Sequence, residues 1–257
     1  MSQAFVQGAR EAFAGLGLMW RPGLRRYVLI PLLINLLLFG AGTVYAALSF
    51  EHWMNHLLPE ALAWARWLLW PLFALTLLLV LFFGFTMLAN LIAAPFNALL
   101  SQRLEEQLRG QRLQNADPPL PILIARTVWV ELRKLGYFLL RALPLLLLFL
   151  IPGVNLLAPL LWFLFGAWMM ALQYMDHPMG NHGIGFDEQR RQLKSQRLRA
   201  LGFGSAVNLM TLVPGLNLLS MPAAVCGATR LWVRHFAPAP ASPGTDQGAK
   251  RRCNTIQ

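Results

Sequence analysis

Val28-Leu-Ile-Pro-Leu-Leu-Ile-Asn-Leu-Leu-Leu-Phe-Gly-Ala-Gly-Thr-Val-Tyr-Ala-Ala-Leu-Ser-Phe50 carries no charged side chain. As a helix its roughly 23 residues extend about 34 Å, enough to cross a hydrocarbon core of about 30 Å. The stretch is therefore read as a membrane-spanning helix over about 24–50.

The composition agrees with lipid as the solvent. The chain is 56% hydrophobic and 13% charged, whereas soluble domains carry charge on about a quarter of their residues. Of the charged residues, 22 are basic and 11 acidic, a net charge of +11. That excess suits nucleic acid, anionic lipid or an anionic substrate equally well. Dispersal of the basic residues among apolar runs argues against a nucleic-acid partner. The first apolar stretch after Met1 is broken by Arg10, Glu11 and Arg21, so it is not read as a cleaved leader. Cys226 and Cys253 stand far apart and read as free thiols.

A second charge-free run, 67–102, is longer than one bilayer requires at about 54 Å of helix. A second spanning helix over about 64–110 is expected, kinked at Pro95 and projecting into water through Ser101-Gln-Arg-Leu-Glu-Glu-Gln-Leu-Arg109. The joining loop, 51–66, holds Glu51, Glu60 and Arg66, while the other basic residues lie elsewhere. The preference of Arg-rich segments for the cytoplasm then puts this loop outside and both chain ends inside.

Two later apolar runs, about 142–175 and 200–234, are each broken by a turn. The breaks are Ile151-Pro-Gly-Val-Asn-Leu-Leu157 and Val213-Pro-Gly-Leu-Asn-Leu-Leu219, an internal repeat. Pro-Gly ends a helix, and the arms of the second run, about 20 Å each, are too short to cross. Both runs are read as helical hairpins that partly penetrate the membrane, although 156–175 alone is just long enough to span. Side-chain amides of Asn155 and Asn217 are expected to satisfy the turns. Segments 103–141 and 176–199 fall on the cytosolic side. Residues 1–236 form one all-α membrane domain, and 237–257 a polar, dispensable tail.

Chemistry centres on Arg21-Pro-Gly-Leu-Arg-Arg26, immediately before the first spanning helix. Pro22 sets a turn, and Gly23 lets the backbone approach a ligand closely. Helix-start amides of Gly23, Leu24 and Arg25, with the guanidiniums of Arg25 and Arg26, make an oxyanion site. Positive-inside sorting explains the same arginines, as does a scaffold or regulatory protein that binds anionic lipid headgroups. Arg103, Glu105, Glu106 and Arg109 form either a charged constriction or a solvated helix face. Asp176, His177 and His182 lack metal-ligand spacing and read as loop caps, so no metal or cofactor is expected. No nucleotide-binding or hydrolase motif occurs, and enzymatic chemistry has no support.

From about residue 5 to 236 the chain resembles the CysZ family of bacterial sulfate permeases. The resemblance rests on Pro22-Gly-Leu-Arg-Arg26, Pro31-Leu-Leu-Ile-Asn35, Asn90-Leu-Ile-Ala-Ala-Pro-Phe-Asn97, Ala158-Pro-Leu-Leu-Trp-Phe-Leu-Phe165 and Met221-Pro-Ala-Ala-Val-Cys-Gly-Ala-Thr229. It implies a homo-oligomer of the inner membrane that admits sulfate for assimilation into cysteine. It places the sulfate ligands on Gly23, Leu24, Arg25 and Arg26, and sets Arg103, Glu106 and Arg109 near the permeation path.

Overall fold

A computed structural model describes residues 2–57, 66–113, 120–151 and 153–238. Every regular element among them is helical: α1 Ser2–Leu18, α2 Arg25–Leu57, α3 Arg66–Arg109, α4 Leu120–Leu147, α5 Ala158–Gly180, α6 Phe186–Ser195, α7 Arg197–Leu212 and α8 Pro214–His235. Residues 58–65 of the joining loop, including Glu60, and the tail beyond 238 lie outside the described residues.

The two long helices fall where the charge-free runs put them. α2 has 33 residues and α3 has 44, about 50 and 66 Å of helix respectively. Two helices are long and apolar enough to cross a membrane among the described residues. They are the Arg25–Phe50 part of α2, with mean hydropathy 2.0, and α5, with 1.3. Only 11% of the α2 window is buried within the chain. Leu33, Leu36, Leu37, Leu38, Val44 and Leu48 are all exposed, a surface suited to lipid and not to water.

Packing is concentrated instead on α1, α5, α7 and α8, with the far end of α3 against them. Fully buried Phe203, Met210, Leu172, Met175, Leu231 and Trp232 form the centre. α1, which the sequence reading does not single out, lies across α7 and α8. Its buried Glu11 is paired with Arg230 at 3.0 Å and Arg234 at 3.0 Å. Helices here approach closely because glycine faces backbone: a Cβ on Gly204 of α7 would lie 1.7 Å from the Ala167 carbonyl oxygen of α5.

Both repeat turns are closed by the same bond, but not through the asparagine side chains. The Asn155 amide N–H donates to the Ile151 carbonyl at 3.0 Å, and the Asn217 amide N–H to the Val213 carbonyl at 2.8 Å. Neither helix start carries a side-chain cap. Gly153 needs the left-handed region, φ 85°, between two short 3-10 turns, 148–150 and 154–156. The second turn is tighter, with only extended Val213 between α7 and α8 and Pro214 opening the new helix. Pro is well suited to that position because its missing N–H would be unpaired there anyway.

Two segment boundaries differ from expectation. The arm ahead of the first turn begins at Leu120 and not near 142, so much of 103–141 is helix continuous with the apolar run. Amphipathic spacing with several charged residues hides this helix from a search for charge-free stretches. Asp176 to Gly180 likewise continue α5 and do not begin a loop.

Candidate anion site

The turn before α2 is built by its own residues. The Leu24 amide donates to the Arg21 carbonyl at 3.0 Å, and the Arg25 amide reaches the same oxygen at 3.4 Å. Gly23 sits at φ 85°, where a side chain would be strained. Leu24 is completely buried in the core cluster that also holds Leu100 and Leu104 of α3. Gln107 of α3 donates from Nε2 to the Pro22 carbonyl at 3.4 Å. The apolar anchor and this bond fix the turn to the end of α3.

Between them opens a cleft of about 520 Å³. Gly23 and Arg26 line it from the turn, and Arg103, Glu106, Gln107, Gly110, Gln111 and Arg112 from the end of α3 and the residues that follow it. Arg26 donates to the Tyr27 hydroxyl at 3.1 Å and lies 4.9 Å from that ring's centroid. Arg103 is paired with Glu106 at 2.9 Å. Hydrogen bonding to Tyr27 and then to Glu106 holds the Arg103 guanidinium above its ordinary pKa. The second Glu106 oxygen accepts the Leu113 amide at 3.4 Å. Three guanidiniums thus share one cleft with a single carboxylate, an excess of positive charge that suits an oxyanion.

Gly23, Arg26, Arg103 and Glu106, drawn from two separate stretches of sequence, meet here. The others do not. Leu24 contributes burial, since its amide is already bonded within the turn. Arg25 also spends its amide on Arg21, and its exposed side chain does not line the cleft. Arg109 turns away to Glu105 at 3.0 Å. Helical geometry explains the split, because residues six apart project about 120° from one another. Gln107, Gly110, Gln111 and Arg112 were missed, although 103, 107 and 110 share a helix face by their spacing.

Behind the cleft lies a buried polar cluster. Fully buried Glu105 contacts His182 Nε2 at 2.7 Å and Arg109 Nε at 3.0 Å, and accepts from Trp232 Nε1 at 3.2 Å. Next to it, the Ser101 and Thr229 hydroxyls are 2.9 Å apart. His182 is therefore a core partner of α3 and not a loop cap. Asp176 accepts from Lys134 at 2.8 Å, joining α5 to α4. Burial by itself lowers the Lys134 pKa, yet Asp176 and Glu131 outweigh it and leave the ammonium above its ordinary value. Among the described residues no group of His, Cys, Asp or Glu is placed to hold a metal.

The Glu105→Ala variant strips the partner from Arg109, His182 and Trp232 at once. Leaving such donors unpaired costs about 1–3 kcal/mol each when they are fully buried. A loss of about 2–3 kcal/mol is expected, given that Arg109 and His182 keep some exposure. Urea unfolding of the detergent-solubilised protein, read by tryptophan fluorescence, checks it; an unchanged midpoint would mean that the cluster contributes nothing.

Comparison with known proteins gives concordant matches. The family described as Sulfate transporter CysZ/Etoposide-induced protein 2.4 matches residues 11–222. The sulfate transporter CysZ of Pseudomonas aeruginosa is 49% identical over 237 residues, covering 89% of this chain and 95% of the relative. That of Pectobacterium atrosepticum is 45% identical over 239 residues, covering 89% and 85%. The Vibrio parahaemolyticus protein of the same name is 44% identical over 228 residues, covering 86% and 92%.

Proposed function

The chain belongs to the Sulfate transporter CysZ/Etoposide-induced protein 2.4 family, and we infer that it carries sulfate across the bacterial inner membrane. It is a transporter and not an enzyme. Sulfate crosses without covalent change, so the protein needs only to capture, dehydrate in part and release the anion. The observation that carries the reading is the cleft in which Gly23 and Arg26 face Arg103, Glu106 and Gln107.

The guanidinium forks of Arg26, Arg103 and Arg112 supply directional donors to a tetrahedral dianion. Glu106 limits their excess. It pairs with Arg103, so a bound sulfate competes with a resident carboxylate, and binding stays weak enough for release. The cleft lies beside the start of α2, where the helix dipole also favours an anion. In this reading α2 and α3 traverse the bilayer; α5, although long and apolar enough to span, pairs with α4 around the 151–157 turn and, like the run around 213–219, enters it only partly. Several copies assemble so that polar helix faces enclose the path. Sulfate admitted in this way supplies cysteine synthesis.

The deciding experiment is uptake of radiolabelled sulfate by liposomes that contain only this protein, with and without a proton gradient. Sulfate should accumulate to the external concentration without a gradient. Uptake no faster than in empty liposomes under both conditions would sink the transport reading. Binding through the same arginines to anionic lipid alone, as in a scaffold, predicts that outcome.

A further inference from the structure

Tyr27 does not itself line the anion cleft, yet it is bonded to two guanidiniums that do. Its amide donates to the Leu24 carbonyl at 2.9 Å, and its partly buried side chain packs against the cluster that holds Leu24, Val28, Leu100 and Leu104. The ring is thereby fixed to the turn and to the interior. Its hydroxyl accepts from Arg26 Nη2 at 3.1 Å, and the Arg26 Cζ lies 4.9 Å from the ring centroid. Arg103, which reaches the cleft from α3, bonds through its side chain to Tyr27 as well.

Two guanidiniums that must reach one sulfate repel each other before it arrives. The group that holds them together decides how much charge is left for the anion. Glu106 pairs with Arg103 at 2.9 Å, and a carboxylate in that position cancels a cation as it fixes it. A hydroxyl oxygen has two lone pairs and no charge. It accepts a donor from each guanidinium and leaves both cations in force. Arg26 makes no ion pair among the described residues, and Tyr27 is its side-chain hydrogen-bond partner. That bond uses one of the five N–H donors of a guanidinium, so the others stay available to an oxyanion. Ordering long side chains at the moment of binding weakens affinity, and ordering them beforehand removes that cost.

We propose that Tyr27 is a positioning residue for sulfate: its hydroxyl presents Arg26 and Arg103 as one preset pair without neutralising either. The inference rests on the transport reading and adds to it a residue that touches no sulfate. The oxygen, and not the ring, carries the role. Phenylalanine at this position keeps the core packing and the contact of Arg26 with an aromatic face, and loses the bridge between α2 and α3.

The test is the concentration dependence of radiolabelled sulfate uptake by liposomes that contain wild type, Tyr27→Phe, Arg103→Ala or the double variant. Tyr27→Phe should raise the half-saturating sulfate concentration about three- to tenfold, the cost of ordering the pair at binding. Its maximal rate should stay within about twofold of wild type, because the lost interaction serves binding alone. In the Arg103→Ala background the same substitution should add less than about twofold, since no pair is left to hold. An unchanged half-saturating concentration overturns the positioning role, and so does a fall in maximal rate alone. An equal factor in both backgrounds, or failure of Tyr27→Phe to fold, would make the hydroxyl a structural group and overturn it too. Wild-type uptake no faster than in empty liposomes removes the transport reading and this inference with it, whereas any of the other results beside active wild type removes the inference alone.

Discussion

Arg26→Ala will reduce sulfate uptake into liposomes at least tenfold, while Arg25→Ala will change it by no more than about threefold. The two arginines are adjacent and chemically identical, so charge alone predicts equal effects. Their positions differ. Arg26 lines the cleft opposite Arg103 and Glu106, whereas Arg25 is exposed and does not. A hydrogen bond to a charged group is worth about 1.5–3 kcal/mol, which is roughly 10- to 150-fold in an equilibrium constant. Arg26→Lys should recover only part of the loss, because an ammonium lacks the planar fork. Initial rates at equal reconstituted protein provide the measurement. Equal losses for the two alanine variants would mean that a diffuse positive field, and not this cleft, attracts the anion.

Gly204→Val will prevent recovery of folded protein or lower its melting temperature by 10 °C or more. The first atom of any side chain at Gly204 falls 1.7 Å from the Ala167 carbonyl oxygen, with the carbonyl carbon at 2.6 Å. No rotamer relieves a clash at Cβ, so α5 and α7 must separate. Overpacking that flexible side chains can absorb costs about 1–3 kcal/mol, and rigid backbone on both sides puts this case above that range. Gly17→Val is the matched control, since nothing lies within 4 Å of its Cβ position. Size-exclusion profiles and thermal unfolding in detergent give the comparison. Equal behaviour of the two variants would refute close α5–α7 packing.

The long helices were legible because absence of charge over a bilayer's length has few other causes, and 28–50 and 67–102 lie within α2 and α3. α4 was legible only in part. Glu131, Arg133, Lys134 and Arg141 interrupt its apolar pattern, which conceals a helix that keeps one face exposed and turns another to α5 and α6. The Pro-Gly repeat coincides with the breaks between α4 and α5 and between α7 and α8, but local sequence does not say whether an asparagine side chain or its backbone N–H bonds there. In the cleft, Arg26 and Arg103 were identified separately, and only tertiary packing brings them together. Arg109, read with Arg103 and Glu106 as a charged region, pairs with Glu105 for a reason the sequence does contain, since helical spacing puts it on that side. Gln107 lacked any charge to draw notice, although it ties the turn to α3.

Leu24 gives the anion turn a second allegiance. It sits between Gly23 and the arginines, yet its side chain has no exposure and packs in the same cluster as Leu100 and Leu104. A loop with only polar residues would be free to vary in sequence as long as its ligands remained. Here the segment that carries the proposed ligands is a peg driven into the protein interior, so its tolerance to substitution is that of a core. Drift in the shape of the α3 hydrophobic face would therefore alter anion selectivity before it destroyed the fold, linking lipid-independent packing to the choice of cargo.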